Sequence, residues 1–254
     1  RQYRTVDGLD FNGVHVWEAE TGKSIRAFER THAFAFSPDG KTIAVASPRS
    51  CTMFDLQSGE RVARAKPLGG ALLLRFSPDG ERLLGIVQSE DGFHLRSVEL
   101  DAVDSTVDSI ALDEPFYSFD VSADGSQIAS GHDEGNVLLW DAKTLEPIRR
   151  FQSGGEDRTR PLFSPDGKTL ACCGQAKSDV VFFDVETGRE IRRMHFDKGS
   201  FNTLTRREQD EKVRPEYDPE RFAFSPDGKL FLAGCYGGIL RRMDTGNEVR
   251  RLTP

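Results

Sequence analysis

The chain has 254 residues, a formal net charge of -7 and a pI near 5.4. That acidity argues against a nucleic-acid binder, which shows a basic patch or a pI above about 9. No apolar run approaches the roughly 18 residues of a membrane span, and the 18 Phe and regular apolar patterning exclude a disordered chain.

The opening stretch "RQYRTVDGLD" has no apolar core of a secretory leader, so a cytoplasmic location is expected. The first residue is not Met, so a longer protein with a segment upstream is expected. "RQYRTV" reads as a second strand, "DGLDFNG" as a turn and Val14–Trp17 as a third strand. "SIRAF" follows as a fourth strand, so this unit lacks its innermost strand.

Five further units follow. Each begins with an apolar run ("AFAF", "LLLRF", "YSFDV", "PLF", "RFAF") that enters a turn spelled "SPDG" or, once, "SADG". Ser starts a type I turn, Pro presets φ, and Gly closes it where φ must be positive. Ala123 in "SADG" lacks that preset, and a type I turn tolerates it. The turn glycines are Gly40, Gly80, Gly125, Gly167 and Gly228, at intervals of 40, 45, 42 and 61 residues. A period of 40–45 residues is that of a four-stranded propeller blade. The turn aspartates Asp39, Asp79, Asp124, Asp166 and Asp227 read as turn formers, not paired catalytic acids.

A second apolar run follows each turn, nearly continuous as in strands buried on both faces ("TIAVAS", "RLLGIV", "QIASG", "TLACCG", "LFLAG"). Third strands end on an acid: Glu18, Asp55, Glu99, Asp141, Asp184 and Asp244. A tight turn comes next at Thr21-Gly22, Ser58-Gly59, Thr187-Gly188 and Thr245-Gly246. A basic fourth strand closes the unit ("RVARA", "PIRRF", "EIRRM", "EVRRL"). Its arginines read as edge charges that block edge-to-edge pairing, screened by Glu146, Glu190 and Glu248.

The order "FSPDGK…LA…G…VxxWDxxTG" resembles the WD-repeat family of β-propellers, most closely at Phe119–Phe151 with "SGHDEGNVLLWD". The resemblance covers nearly the whole chain. It implies an all-β fold, a propeller of four-stranded antiparallel blades, about six with the first incomplete. The partial blade occupies 1–30, and later blades start near 33, 72, 116, 161 and 221. The family often has a Gly-His pair before the first strand, part of a buried His–Asp–Ser–Trp network. Here His132 follows Gly131 after the second strand, and His32 lies only five residues before Ser37. No unit is therefore expected to hold the complete network; Ser130, Asp133, Glu134 and Trp140 are expected to form a partial one.

From Asp184 to Ser225 the chain runs 41 residues, against 19 to 23 in the other units. The excess is an insertion at 195–220, and long loops in compact domains are functional or disordered. Its Phe201, Arg206, Arg207, Arg214 and Tyr217 are of types enriched at interfaces and are the candidate partner-binding residues.

Cys51, Cys172, Cys173 and Cys235 form no CxxC pair and read as free cysteines packed as small hydrophobes. Cys172 and Cys173 point to opposite faces if they lie on a strand. No phosphate loop, dinucleotide fingerprint, nucleophile elbow or zincin motif occurs. No catalytic, cofactor or metal residue is assigned. The expected function is a non-catalytic protein-interaction scaffold with a protein or peptide partner, without nucleic acid or membrane. Self-association through an unclosed blade edge is a further expectation. The alternative is a regulatory or targeting domain of a larger enzyme, a kinase or protease; a propeller hydrolase is the third reading.

Overall fold

The computed structural model describes the chain except residues 1–4, 7–8, 11–12, 19, 32, 66–67, 91, 101–106, 113–115, 155–157, 175–178, 197–221, 234–237 and 253–254. All regular structure among the described residues is β-strand, in two compact units, Arg1–Asp113 and Glu114–Pro254.

The first unit opens with β1 (Thr5–Val6) and β2 (Leu9–Asp10), a short hairpin, then β3 (Gly13–Trp17) paired with β4 (Ser24–Glu29). The expectation that "RQYRTV" runs beside Val14–Trp17 is corrected here. The chain reverses between Val6 and Leu9, so Thr5–Val6 satisfies its backbone groups on its own hairpin and β3 pairs with β4 alone. Two four-stranded sheets follow. One is β5 (Ala33–Phe36), β6 (Thr42–Ser47), β7 (Ser50–Asp55) and β8 (Arg61–Arg64). The other is β9 (Ala71–Phe76), β10 (Arg82–Ser89), β11 (Gly92–Glu99) and β12 (Val107–Leu112).

The second unit holds three such sheets: β13 (Phe116–Val121) to β16 (Pro147–Gln152), β17 (Thr159–Phe163) to β20 (Glu190–His195), and β21 (Phe222–Phe224) to β24 (Glu248–Arg251). Between them lie β14 (Gln127–His132), β15 (Asn136–Asp141), β18 (Thr169–Gly174), β19 (Asp179–Asp184), β22 (Leu230–Ala233) and β23 (Ile239–Arg242). In every sheet the strands pair antiparallel in sequence order, so each unit is a meander.

Second strands are buried on both faces, as their unbroken apolar runs require: Ile43, Ala44, Val45 and Ala46 on β6, and Leu170 to Cys173 on β18. Cys172 packs with Ala129, Leu139 and Phe183, whereas Cys173 packs with Phe182, Phe196 and Phe231. The two thiols therefore serve opposite faces of one sheet, as strand alternation demands. Burial pushes the Cys51 thiol up to about 12 and raises Cys172 as well.

Fourth strands are the exposed ones, and their arginines do more than charge an edge. In five sheets the ladder between third and fourth strands shifts at one place, and one fourth-strand residue lies opposite the last residue before that shift. These residues are Arg26, Ala63, Arg149, Arg192 and Arg250. Arg26 donates from Nη1 to the Gly59 carbonyl in the next sheet's turn. Arg149 donates to the Glu186 and Thr187 carbonyls at 3.0 and 3.2 Å. Arg192 donates to the Asp244 carbonyl at 2.8 Å. Each guanidinium lies over the glycine of that turn. A Cβ on Gly188 would come within 2.8 Å of Arg149, and one on Gly246 within 2.9 Å of Arg192. Those glycines thus answer two demands at once: φ values of +74° and +76°, and the space an arginine occupies.

Candidate functional site

The recurring Ser and Asp of the "SPDG" turns are held by one another. Ser37, Ser77, Ser122, Ser164 and Ser225 each donate from Oγ to Asp39, Asp79, Asp124, Asp166 and Asp227. The same carboxylates accept the backbone N–H two residues on, at 2.9–3.1 Å. The serine hydroxyl holds each of the five carboxyls below the usual range. Asp55, Asp141 and Asp184 play the same part in the second set of turns; Asp184, for example, accepts from Thr187 N–H at 2.7 Å and its hydroxyl at 2.6 Å. An acid whose lone pairs are occupied this way is a turn lock, not a proton-transfer group.

One buried polar chain stands apart. Trp140 donates from Nε1 to Ser130 Oγ at 2.7 Å, and Ser130 Oγ lies 2.8 Å from His132 Nε2. All three residues are buried. The indole can only donate, so the Ser130 hydroxyl hydrogen is left for the imidazole, its nearest acceptor. The expectation that His132 stands outside such a network is corrected: β14 continues through His132, which puts Ser130 and His132 two residues apart on one face. Asp133 supplies its carbonyl to Asn136 N–H at 3.1 Å, and Glu134 turns the chain at φ +58°.

The surface feature of most consequence is a cleft of about 250 Å3 where the inner strands β13, β17 and β21 run into their turns. Its walls come from Val121, Leu162, Phe163, Pro165, Phe222 and Phe224, with Asp120 and Ala123 on one side. Asp120 is half-buried and accepts the Phe163 N–H at 2.9 Å through Oδ2, tying β13 to β17. At the same register the sister strands carry Ala35, Arg75, Leu162 and Ala223.

Ala123 accounts for the opening. In two other places the turn proline leans on the next turn's glycine. A Cβ on Gly80 would lie 3.6 Å from the Pro38 ring, and one on Gly228 would lie 3.8 Å from Pro165. Around Gly167, the next turn after Ala123, nothing lies within 4 Å of that point. The "SADG" departure removes the ring that fills this space elsewhere. Position-by-position comparison of the five turns was the signal for both residues.

Phe201, Arg206, Arg207, Arg214 and Tyr217 lie outside the described residues, as does Cys235. Among the described residues no group of three or more His, Cys, Asp or Glu is placed to hold a metal.

The family model for the WD domain, G-beta repeat, matches residues 111–141, ending on the "VLLWD" that carries Trp140. The β-propeller domain of Myceliophteria thermophila Cps50 (Swd1) superposes with a TM-score of 0.69 over 95% of this chain and 80% of that one, at 14% identity. This is a WD-repeat chain with the β-propeller fold. Its sheets are therefore blades: five of four strands, preceded by the incomplete one of β3 and β4. The target of rapamycin complex subunit wat1 of Schizosaccharomyces pombe is 31% identical over 151 residues, 56% of this chain and 46% of that protein. The small ribosomal subunit protein RACK1 of Neurospora crassa is 26% identical over 170 residues, 66% of this chain and 49% of that protein. The chain spans about half the length of these curated relatives.

Proposed function

We propose that this WD-repeat chain is a non-catalytic scaffold that holds a protein or peptide partner. The observation that carries the reading is the turn-lock network: the serines and aspartates that recur through the repeats serve to hold the frame. A rigid frame with varied connections is where binding residues concentrate. Two relatives are named as parts of larger assemblies, a target of rapamycin complex and a ribosomal subunit, which supports a protein partner.

Partner capture is assigned also to the stretch 195–220, through Phe201, Arg206, Arg207, Arg214 and Tyr217. The proposed location is cytoplasmic; no described helix is long and apolar enough to cross a membrane. Affinity purification from source cells, with and without residues 196–219, tests both points. A partner that co-purifies at fixed stoichiometry with the intact chain and is lost with the deletion is the expected result. Partner retention in the deleted chain removes the loop from the reading. Hydrolase turnover by the purified chain overturns the scaffold itself.

A further inference from the structure

The cleft at the "SADG" turn has a size and a chemistry that point to one kind of occupant. At about 250 Å3 it falls below the roughly 300–1,000 Å3 of small-molecule sites. Its walls are mainly apolar, with two phenylalanines and a proline ring offering flat faces. One side is acidic. Asp120 brings a carboxylate where two sister strands have alanine, and Asp124 stands beside Ala123 at the rim. Three of the other turns follow their glycine with Lys41, Lys168 or Lys229; here Ser126 takes that place and donates to Asp124 at 2.8 Å. Lys168 beside Asp166 is the nearest basic side chain of the adjoining turn, so the acidic excess belongs to the Asp120–Asp124 wall. Backbone donors of the next strand hold Asp120 in position, and a fixed anion at the lip of an apolar hole selects a cation on the ligand.

We propose that the cleft bounded by Asp120, Ala123, Phe163 and Phe224 takes one large apolar side chain of an extended peptide carrying a Lys or Arg next to it. This rests on the scaffold reading above and names the chemistry of its partner. The sequence device is the loss of proline at Ala123. Restoring proline closes the cleft while keeping a residue that four sister turns accept at the same place.

The test is selection of random heptapeptides displayed on phage against three forms of the full chain: wild type, Ala123→Pro and Asp120→Asn. Asparagine keeps an oxygen acceptor for the Phe163 N–H and removes the charge. Melting curves confirm that both variants fold. Wild type is expected to enrich sequences with Leu, Ile, Met or Phe beside Lys or Arg. The enriched peptide, synthesised and titrated, is expected to bind Ala123→Pro at least about tenfold more weakly, and Asp120→Asn about three- to tenfold more weakly with a reduced salt dependence. Peptides that bind wild type and Ala123→Pro equally overturn the cleft and leave the scaffold reading standing. An acidic or uncharged consensus overturns the proposed chemistry. Enrichment on none of the three forms overturns the cleft proposal and counts against the scaffold reading too.

Discussion

Arg192 on the outer strand of one blade donates at 2.8 Å to the main-chain carbonyl of Asp244, 52 residues on, in the turn of the next blade. Asp244 is in turn gripped by Arg242, which donates to its carboxylate at 2.7 and 2.9 Å and holds it well below the usual range. Arg149 makes the matching bridge one blade earlier, to two carbonyls rather than one. Replacing Arg149 with Ala is expected to destabilise the chain by about 1 kcal/mol, a charge-assisted bond reduced by solvent exposure. Arg149→Lys recovers little, because an ammonium lacks the fork that spans two carbonyls. Urea denaturation of the two variants checks this; equal recovery by lysine would show that only charge matters.

Gly188 is expected to tolerate substitution poorly for two separable reasons. Gly188→Ala meets a positive φ and the Arg149 side chain together and should cost about 1–3 kcal/mol. In an Arg149→Ala background the steric part disappears and only the backbone part remains. A double-mutant cycle with additive losses would remove the arginine from the account.

The Trp140–Ser130–His132 chain gives a sharper prediction. Ser130→Ala leaves the indole N–H without this acceptor in a buried site and should cost about 1–3 kcal/mol. Trp140→Phe removes the donor and some packing together. The double variant is expected to lose less than the sum of the two. Strict additivity in chemical denaturation would mean that the three groups do not act as a unit.

Acid should unfold the chain earlier than its net charge suggests. Asp39, Asp79, Asp124, Asp166 and Asp227 all titrate lower when folded than when unfolded. Their contribution is complete above the ordinary Asp value of about 3.9 and is lost as pH falls below it. Melting temperatures are therefore expected to stay level from pH 7 to about 4.5 and to drop steeply below. Ser164→Ala should lower stability at pH 7 by about 1 kcal/mol and make the acid drop shallower. An unchanged acid profile in that variant would detach the hydroxyl from the effect.

Ala123→Pro is also a stability prediction. At a φ the native turn already suits, proline restricts the unfolded chain and adds about 0.4–1 kcal/mol. A melting temperature below that of wild type would show that this turn differs from its four sisters.

The turns were legible in the sequence because "SPDG" states its own geometry: each of five serines and aspartates finds its partner within two residues. Strand alternation was legible for the same local reason, as Cys172 and Cys173 show by packing into separate clusters. What stayed hidden acts between repeats. Arg26, Arg149 and Arg192 reach partners 33 to 52 residues away, and an edge arginine looks the same whether it meets water or a carbonyl. The hint lay in pairs of departures. Ala63 sits at the arginine register, and the connection from β11 to β12 that follows it has no Thr-Gly or Ser-Gly. His132 was misplaced by ending the strand too soon. Asp120 and Ala123 were visible as oddities, but a cleft needs three neighbouring inner strands to exist.

The arginine bridges mean that the repeats are not interchangeable bricks. A turn glycine makes full sense only behind a repeat that supplies an arginine, and an arginine only ahead of a repeat that supplies the glycine. Any recombination that grafts a single blade into a foreign neighbourhood splits such a couple, while moving two adjacent blades together preserves it. The natural unit of inheritance in this chain is therefore the junction between blades, which spans parts of both.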